Sequence, residues 1–81
     1  MIKIFAKDSC PKCPPAKDLA VQLKDKGIKI EMFDVETPNG LSEAAMYNVM
    51  ATPSIVITDE QGTEKKSYRG QVPSLEEIIG A

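Results

Sequence analysis

Met1-Ile2-Lys3-Ile4-Phe5-Ala6, Lys7-Asp8-Ser9, Cys10-Pro11-Lys12-Cys13 and Pro14-Pro15-Ala16 follow one another without a spacer. The order is an apolar run, a short polar loop, a Cys-x-x-Cys pair and a helix entry. The run carrying Ile2, Ile4 and Phe5 reads as a buried strand. Beyond the pair, Ala16, Leu19, Ala20 and Leu23 recur at the spacing of a buried helix face. A strand–loop–helix junction of this kind sets the first sulfur near backbone N–H groups that have no helical partner. Those groups and the aligned peptide dipoles favour an anion, here a thiolate. A thiolate with a second thiol within reach is the working unit of thiol–disulfide exchange. Lys12 either adds positive charge that favours the thiolate or is simply solvated. Pro14 and Pro15 fit a first helical turn, where an N–H would have no partner. They are also expected to push Cys13 and Pro14 off ideal helical angles.

The cysteine inventory narrows the chemistry. The chain has two Cys and no His, too few ligands for a zinc site built from those residues. A metal or cluster carrier would have to bind through Cys10 and Cys13 of two chains in a dimer. A structural disulfide stabilises by closing a loop, and a pair this close closes a very short one. Redox work by the pair is the reading these limits favour.

Composition removes other classes. With 81 residues the chain is expected to form one domain over 1–81. Ten basic against twelve acidic residues give a net charge of −2, with no basic excess for a nucleic-acid surface. No apolar run approaches the ~20 residues of a membrane span. Met1-Ile2-Lys3-Ile4 lacks the pattern of a secretory signal. A cytoplasmic setting, where thiols stay reduced, is the expectation.

The remaining elements follow from periodicity and punctuation. The first helix is expected to run to about Lys26 and stop at Gly27. Ile28 to Val35 reads as a strand with Ile28, Ile30 and Met32 inward. Thr37-Pro38-Asn39-Gly40 reads as a break. Leu41, Ala44, Ala45, Asn48 and Val49 mark a second helix, ended by Thr52-Pro53. Ser54 to Thr58 and Thr63 to Arg69 read as an antiparallel hairpin around Asp59-Glu60-Gln61-Gly62. Gly70 to Pro73 breaks the chain again. Ser74-Leu75-Glu76-Glu77 has a capping-box pattern and opens a last helix with Leu75, Ile78 and Ile79 inward. Met32, Met46 and Met50 are assigned to core filling rather than to a soft partner surface. The order β-α-β-α-β-β-α implies a four-stranded mixed sheet with helices on both faces and a right-handed crossover between the first two strands.

That order, with Cys10-Pro11-Lys12-Cys13 after the first strand, Thr52-Pro53 before the third and Gly70 after the fourth, resembles the thioredoxin/glutaredoxin superfamily over nearly the whole chain. The resemblance implies an α/β thioredoxin fold in a compact form, similar to small thioredoxins and to glutaredoxin-like donors to ribonucleotide reductase. It implies that Cys10 is the exposed nucleophile and Cys13 the buried resolving thiol. It implies a cis bond before Pro53, packed near the Cys pair, and a Thr52 backbone that pairs with an extended substrate segment. Thr52 is otherwise a plain helix stop. Lys7 stands where glutaredoxins often hold a glutathione carboxylate; the alternative is a solvated lysine. Lys12 and Gly70 join the substrate-facing set.

Departures from the family pattern carry information too. Ser9 stands where thioredoxins usually have Trp, and Ile4 where they carry a buried acid. Gly70-Gln71-Val72-Pro73-Ser74 keeps only the first glycine of the glutaredoxin glutathione motif and lacks its acid. The resemblance therefore implies a monomeric dithiol oxidoreductase without a cofactor. Protein disulfides would be its substrates, ribonucleotide reductase being one candidate, and a thioredoxin-reductase-like enzyme its electron donor. A glutathione-dependent glutaredoxin is the alternative.

Overall fold

Alternation in the first strand sends its side chains to two different cores. Ile2 and Ile4 point to one face, Lys3 and Phe5 to the other, as the two-residue period of a strand requires. The computed structural model describes residues 1–7 and 13–79. Within them the order is β1 (Ile2–Ala6), α1 (Pro14–Asp25), β2 (Ile30–Asp34), α2 (Pro38–Met46), β3 (Ser54–Thr58), β4 (Glu64–Arg69) and α3 (Leu75–Ile79). The strands form one sheet in the order β2-β1-β3-β4. β1 is parallel to β2, with Ile2 opposite Ile30 and Ala6 opposite Asp34. β1–β3 and β3–β4 are antiparallel. The expected α/β architecture is therefore present, with a mixed four-stranded sheet.

The larger core lies under α1 and α3. Ala16, Leu19, Ala20 and Leu23 of α1 meet Ile2 and Ile4 of β1, Ile55 of β3, Tyr68 of β4 and Ile78 of α3. All four α1 positions named by the periodicity are buried. The second core lies under α2, where Phe5, Phe33, Ala44, Tyr47, Val49 and Val56 pack together. Phe5 and Phe33 stack with centroids 5.3 Å apart. On this face Lys3 reaches out between the Phe33 and Tyr47 rings, 5.3 and 5.2 Å from their centroids. Its Nζ donates to Glu43 Oε1 at 2.7 Å and lies 3.8 Å from Glu31 Oε1. The Lys3 side chain is 13% exposed and that of Glu43 18%, so the pair ties β1 to α2 largely out of water.

Several boundaries and burials differ from the sequence expectation, each for a physical reason. Pro38-Asn39-Gly40 is the first turn of α2 and not a break. Thr37 is the N-cap, its Oγ1 accepts the Gly40 N–H at 3.1 Å, and Pro38 fills a first-turn position whose N–H would have no partner. Gly40 is there because α2 approaches β2 closely: a Cβ on it would lie 1.8 Å from the Asp34 carbonyl oxygen. The helix ends at Met46, because Asn48 turns left-handed at φ 58° and Val49 folds back to donate to the Ala44 carbonyl at 2.7 Å. Leu41, on its expected inner face, is exposed.

β2 is an edge strand and spans only Ile30–Asp34. Its Met32 is exposed instead of inward, while Ile28 and Ile30 pack partly against the larger core. Met46 and Met50 are exposed as well, Met50 at 90%, so these three methionines do not fill the core. Ile79 is exposed because α3 has only five residues and turns Ile78 inward. Cys13 has φ −78° and ψ −27°, helical values in spite of the following proline. Its carbonyl accepts the first intrahelical bond from Lys17 at 3.1 Å, which holds it there. The chain leaves α1 as expected at Gly27, where Ile28 N–H reaches back to the Leu23 carbonyl at 3.1 Å.

Candidate active site at the carboxyl end of the first strand

Three segments supply the residues singled out in the sequence: the end of β1 leading into α1, the approach to β3, and the exit from β4. Of the first segment, Asp8, Ser9, Cys10, Pro11 and Lys12 lie outside the described residues, and with them the expected nucleophile. Cys13 is described. It is the N-cap of α1, is 1% exposed, and packs against Ala6 at the end of β1. Its sulfur is disulfide-bonded. A buried cysteine held in a disulfide at the head of a helix is a redox-competent position, although Pro14 and Pro15 carry no N–H and leave the first turn few donors.

The approach to β3 carries Thr52 and Pro53. Their peptide bond is cis, Pro53 is fully buried and Thr52 half-buried. Among the described residues, no hydrogen bond joins the Thr52 backbone to another residue. Ser54, the next residue, is fully buried. Its hydroxyl donates to the Ala51 carbonyl at 2.6 Å and accepts the Gly70 N–H at 3.3 Å. Thr52-Pro53 and Gly70, read from distant parts of the sequence, are thus brought together through Ser54. Gly70 has φ 75°, a left-handed angle that L side chains rarely adopt. The space beside it is not the constraint, since a Cβ there would sit 3.7 Å from Ala51 Cβ.

Arg69 adds a second tie. Its Nη2 donates to the Tyr47 carbonyl at 2.7 Å and to Glu64 Oε1 at 2.9 Å. Its Nε donates to the Asn48 carbonyl at 3.4 Å, and the guanidinium also reaches Ser67 Oγ. These are the carbonyls at the end of α2, where a cation also complements the helix dipole. Sequence reasoning missed both Ser54 and Arg69. Ser54 reads as the first residue of a strand and Arg69 as the last, and the partners that tie them to the segment before β3 are backbone atoms.

Lys7 is half-buried and lines a groove of about 170 Å³ with Ala6, Lys17, Met32, Phe33 and Asp34. After Gly70 the chain packs down: Val72 lies against the larger core and Pro73 is buried. Among the described residues there is no cluster of three or more His, Cys, Asp or Glu side chains placed to hold a metal ion, and no helix long and apolar enough to cross a membrane.

Residues 1–80 match the family model for the thioredoxin domain, and the chain belongs to that family. The family is one of thiol–disulfide oxidoreductases, and the fold and the Cys pair of this chain agree with it. A probable thioredoxin of Archaeoglobus fulgidus is 33% identical over 61 residues, which span 74% of this chain and 67% of that protein. The structure of thioredoxin 1 from Thermosipho africanus superposes with a TM-score of 0.75 at 28% identity, covering 98% of this chain and 85% of that one. Oxidised thioredoxin O2 from Arabidopsis thaliana gives a TM-score of 0.76 over 98% of this chain and 68% of that one. At 16% identity that likeness concerns the fold alone.

Proposed function

We propose that the protein is a small thioredoxin that reduces disulfides in partner proteins through Cys10 and Cys13. The Cys10 thiolate attacks one sulfur of the partner disulfide. The partner's other sulfur leaves as a thiolate and takes a proton, and a mixed disulfide joins Cys10 to the partner. The Cys13 thiolate then attacks the Cys10 sulfur. The partner leaves as a dithiol and Cys10–Cys13 carries the oxidation, two electrons having passed to the partner. The observation that carries this reading is Cys13: a buried, disulfide-bonded cysteine at the head of α1 in a thioredoxin-family chain.

The electron donor in this proposal is a thioredoxin-reductase-like flavoenzyme rather than glutathione. Support comes from the segment after Gly70. Val72 and Pro73 are tucked against the body of the domain, Gln71 stands where the glutaredoxin pattern has its second glycine, and Pro73 and Ser74 supply no acid for the amino-acid end of glutathione. Lys7 alone supplies a single ion pair at the surface, worth only ~0–1 kcal/mol.

Two experiments test the reading. Cys13→Ser should leave disulfide partners trapped on Cys10, and alkylation of the reduced wild type at mildly acidic pH should label Cys10 before Cys13. Preferential labelling of Cys13 overturns the assignment of roles. Insulin reduction is then followed with either a thioredoxin reductase or glutathione and its reductase as donor. Efficient turnover with glutathione overturns the donor assignment in favour of a glutaredoxin.

A further inference from the structure

We infer that Arg69 and Ser54 are positioning residues for partner recognition, holding the segment from Tyr47 to Pro53 in the shape a protein disulfide must meet. The inference rests on the redox reading above and extends it to residues that touch no reacting atom. The segment leaves α2 at Tyr47, turns left-handed at Asn48, passes the exposed Met50 and Ala51, and enters β3 after Thr52-Pro53. It has no regular structure of its own between α2 and β3. Tyr47 and Val49 anchor it in the second core and Val49 N–H returns to the Ala44 carbonyl, and further ties come from outside the segment.

Both ends are fixed by residues at the exit of β4. At the near end the Arg69 guanidinium bridges the Tyr47 and Asn48 carbonyls. Glu64, on the same strand, fixes the guanidinium in turn at 2.9 Å. At the far end Gly70 N–H meets Ser54 Oγ, and Ser54 Oγ–H meets the Ala51 carbonyl. Two adjacent residues at the end of one strand therefore clamp both ends of a seven-residue segment. Between the clamps the Thr52 backbone is left without a hydrogen bond to the described residues. An extended partner segment can use such an unpaired backbone edge only if that edge is held still, because main-chain pairing is lost with small displacements. A small aromatic disulfide, which needs only the thiols, does not depend on the edge.

The test compares two substrates in three variants. Arg69→Gln removes the charge and the fork at a side chain that is 37% exposed. Arg69→Lys keeps the charge but not the bridging geometry. Ser54→Ala removes the hydroxyl. Steady-state reduction of insulin and of a small aromatic disulfide is measured for each, with thermal unfolding in parallel. For Arg69→Gln the expected result is a KM for insulin raised about fivefold, the equivalent of one or two lost hydrogen bonds. Its kcat and its rate with the small disulfide stay unchanged. Arg69→Lys falls between wild type and Arg69→Gln, and Ser54→Ala shows the same split.

An unchanged KM for insulin in Arg69→Gln overturns the inference. So does an equal loss on both substrates, which marks general damage to the fold. If the wild type reduces neither substrate, the redox reading itself fails and the inference falls with it.

Discussion

Replacing Glu43 by Gln tests the claim that the Lys3 cage, and not only apolar packing, joins α2 to the sheet. Losing one partner of a deeply buried ion pair costs ~3–5 kcal/mol. An exposed pair is worth ~0–1 kcal/mol. With side chains 13% and 18% exposed, Lys3 and Glu43 lie between those limits. Three features soften the loss. The amide introduced by Glu43→Gln still offers a carbonyl oxygen to Nζ, Glu31 remains 3.8 Å away, and the Phe33 and Tyr47 rings still face the ammonium group. The expected cost is therefore about 1.5 kcal/mol, which lowers Tm by about 6–12 °C in a domain of this size. Urea unfolding of Lys3→Met, Glu43→Gln and the double variant measures the coupling, expected at about 1 kcal/mol. A Glu43→Gln protein within about 0.3 kcal/mol of wild type, or strictly additive single changes, would refute the reasoning.

The same cage sets an alkaline limit. Burial disfavours the Lys3 charge, but the hydrogen bond and charge of Glu43, with Tyr47 and Glu31, outweigh it and raise the pKa above its ordinary 10.5. The raised value makes the contribution complete below pH 10.5 and lost as pH rises through the folded value; Lys3→Met should flatten that alkaline fall in a pH series of urea midpoints. Gly40→Ala should cost at least about 2 kcal/mol or displace the start of α2, because its Cβ would collide with backbone rather than a side chain; near-wild-type stability by urea unfolding would contradict the close approach of α2 to β2. Met46→Gln and Met50→Gln should each change stability by less than about 0.5 kcal/mol, as surface changes do, and a larger loss in thermal unfolding would return these side chains to the core.

Where local pattern and tertiary packing agree, the sequence is readable. The buried face of α1 can be named residue by residue, because four apolar positions at helical spacing have only one way to face a sheet. The strand count and the mixed pairing follow from where Gly, Pro and Asp interrupt apolar runs. At α2 the same punctuation misleads. Pro38 and Gly40 look like a break, yet one is a first-turn residue and the other a point of contact with the Asp34 backbone. Only the fold distinguishes those uses. Met32 shares the face of Ile30 and Ile4 but lies uncovered on the edge strand, which alternation along one strand does not reveal. Lys3 and Glu43 are 40 positions apart, and the Arg69–Tyr47 tie spans 22. No local window holds both partners. Of the site, Thr52-Pro53 and Gly70 are visible as motifs, while Ser54, which joins them, and Arg69, which holds the end of α2, reach backbone atoms and leave no signature in composition.

β1 lies inside the sheet, with β2 on one side and β3 on the other, and Met1 exchanges backbone bonds with Thr58. Residues 2–6 therefore form an interior strand. Removal of residues 1–6 would take out a central strand and expose both cores at once. During synthesis the strand has no antiparallel neighbour until residues 54–58 have left the ribosome. Until then β1 has α1 and its parallel neighbour β2 to pack against, and its β3-facing edge stays open. The waiting strand, Ile2-Lys3-Ile4-Phe5, is apolar on both sides of its one lysine, and that lysine is what interrupts an otherwise sticky segment during the wait.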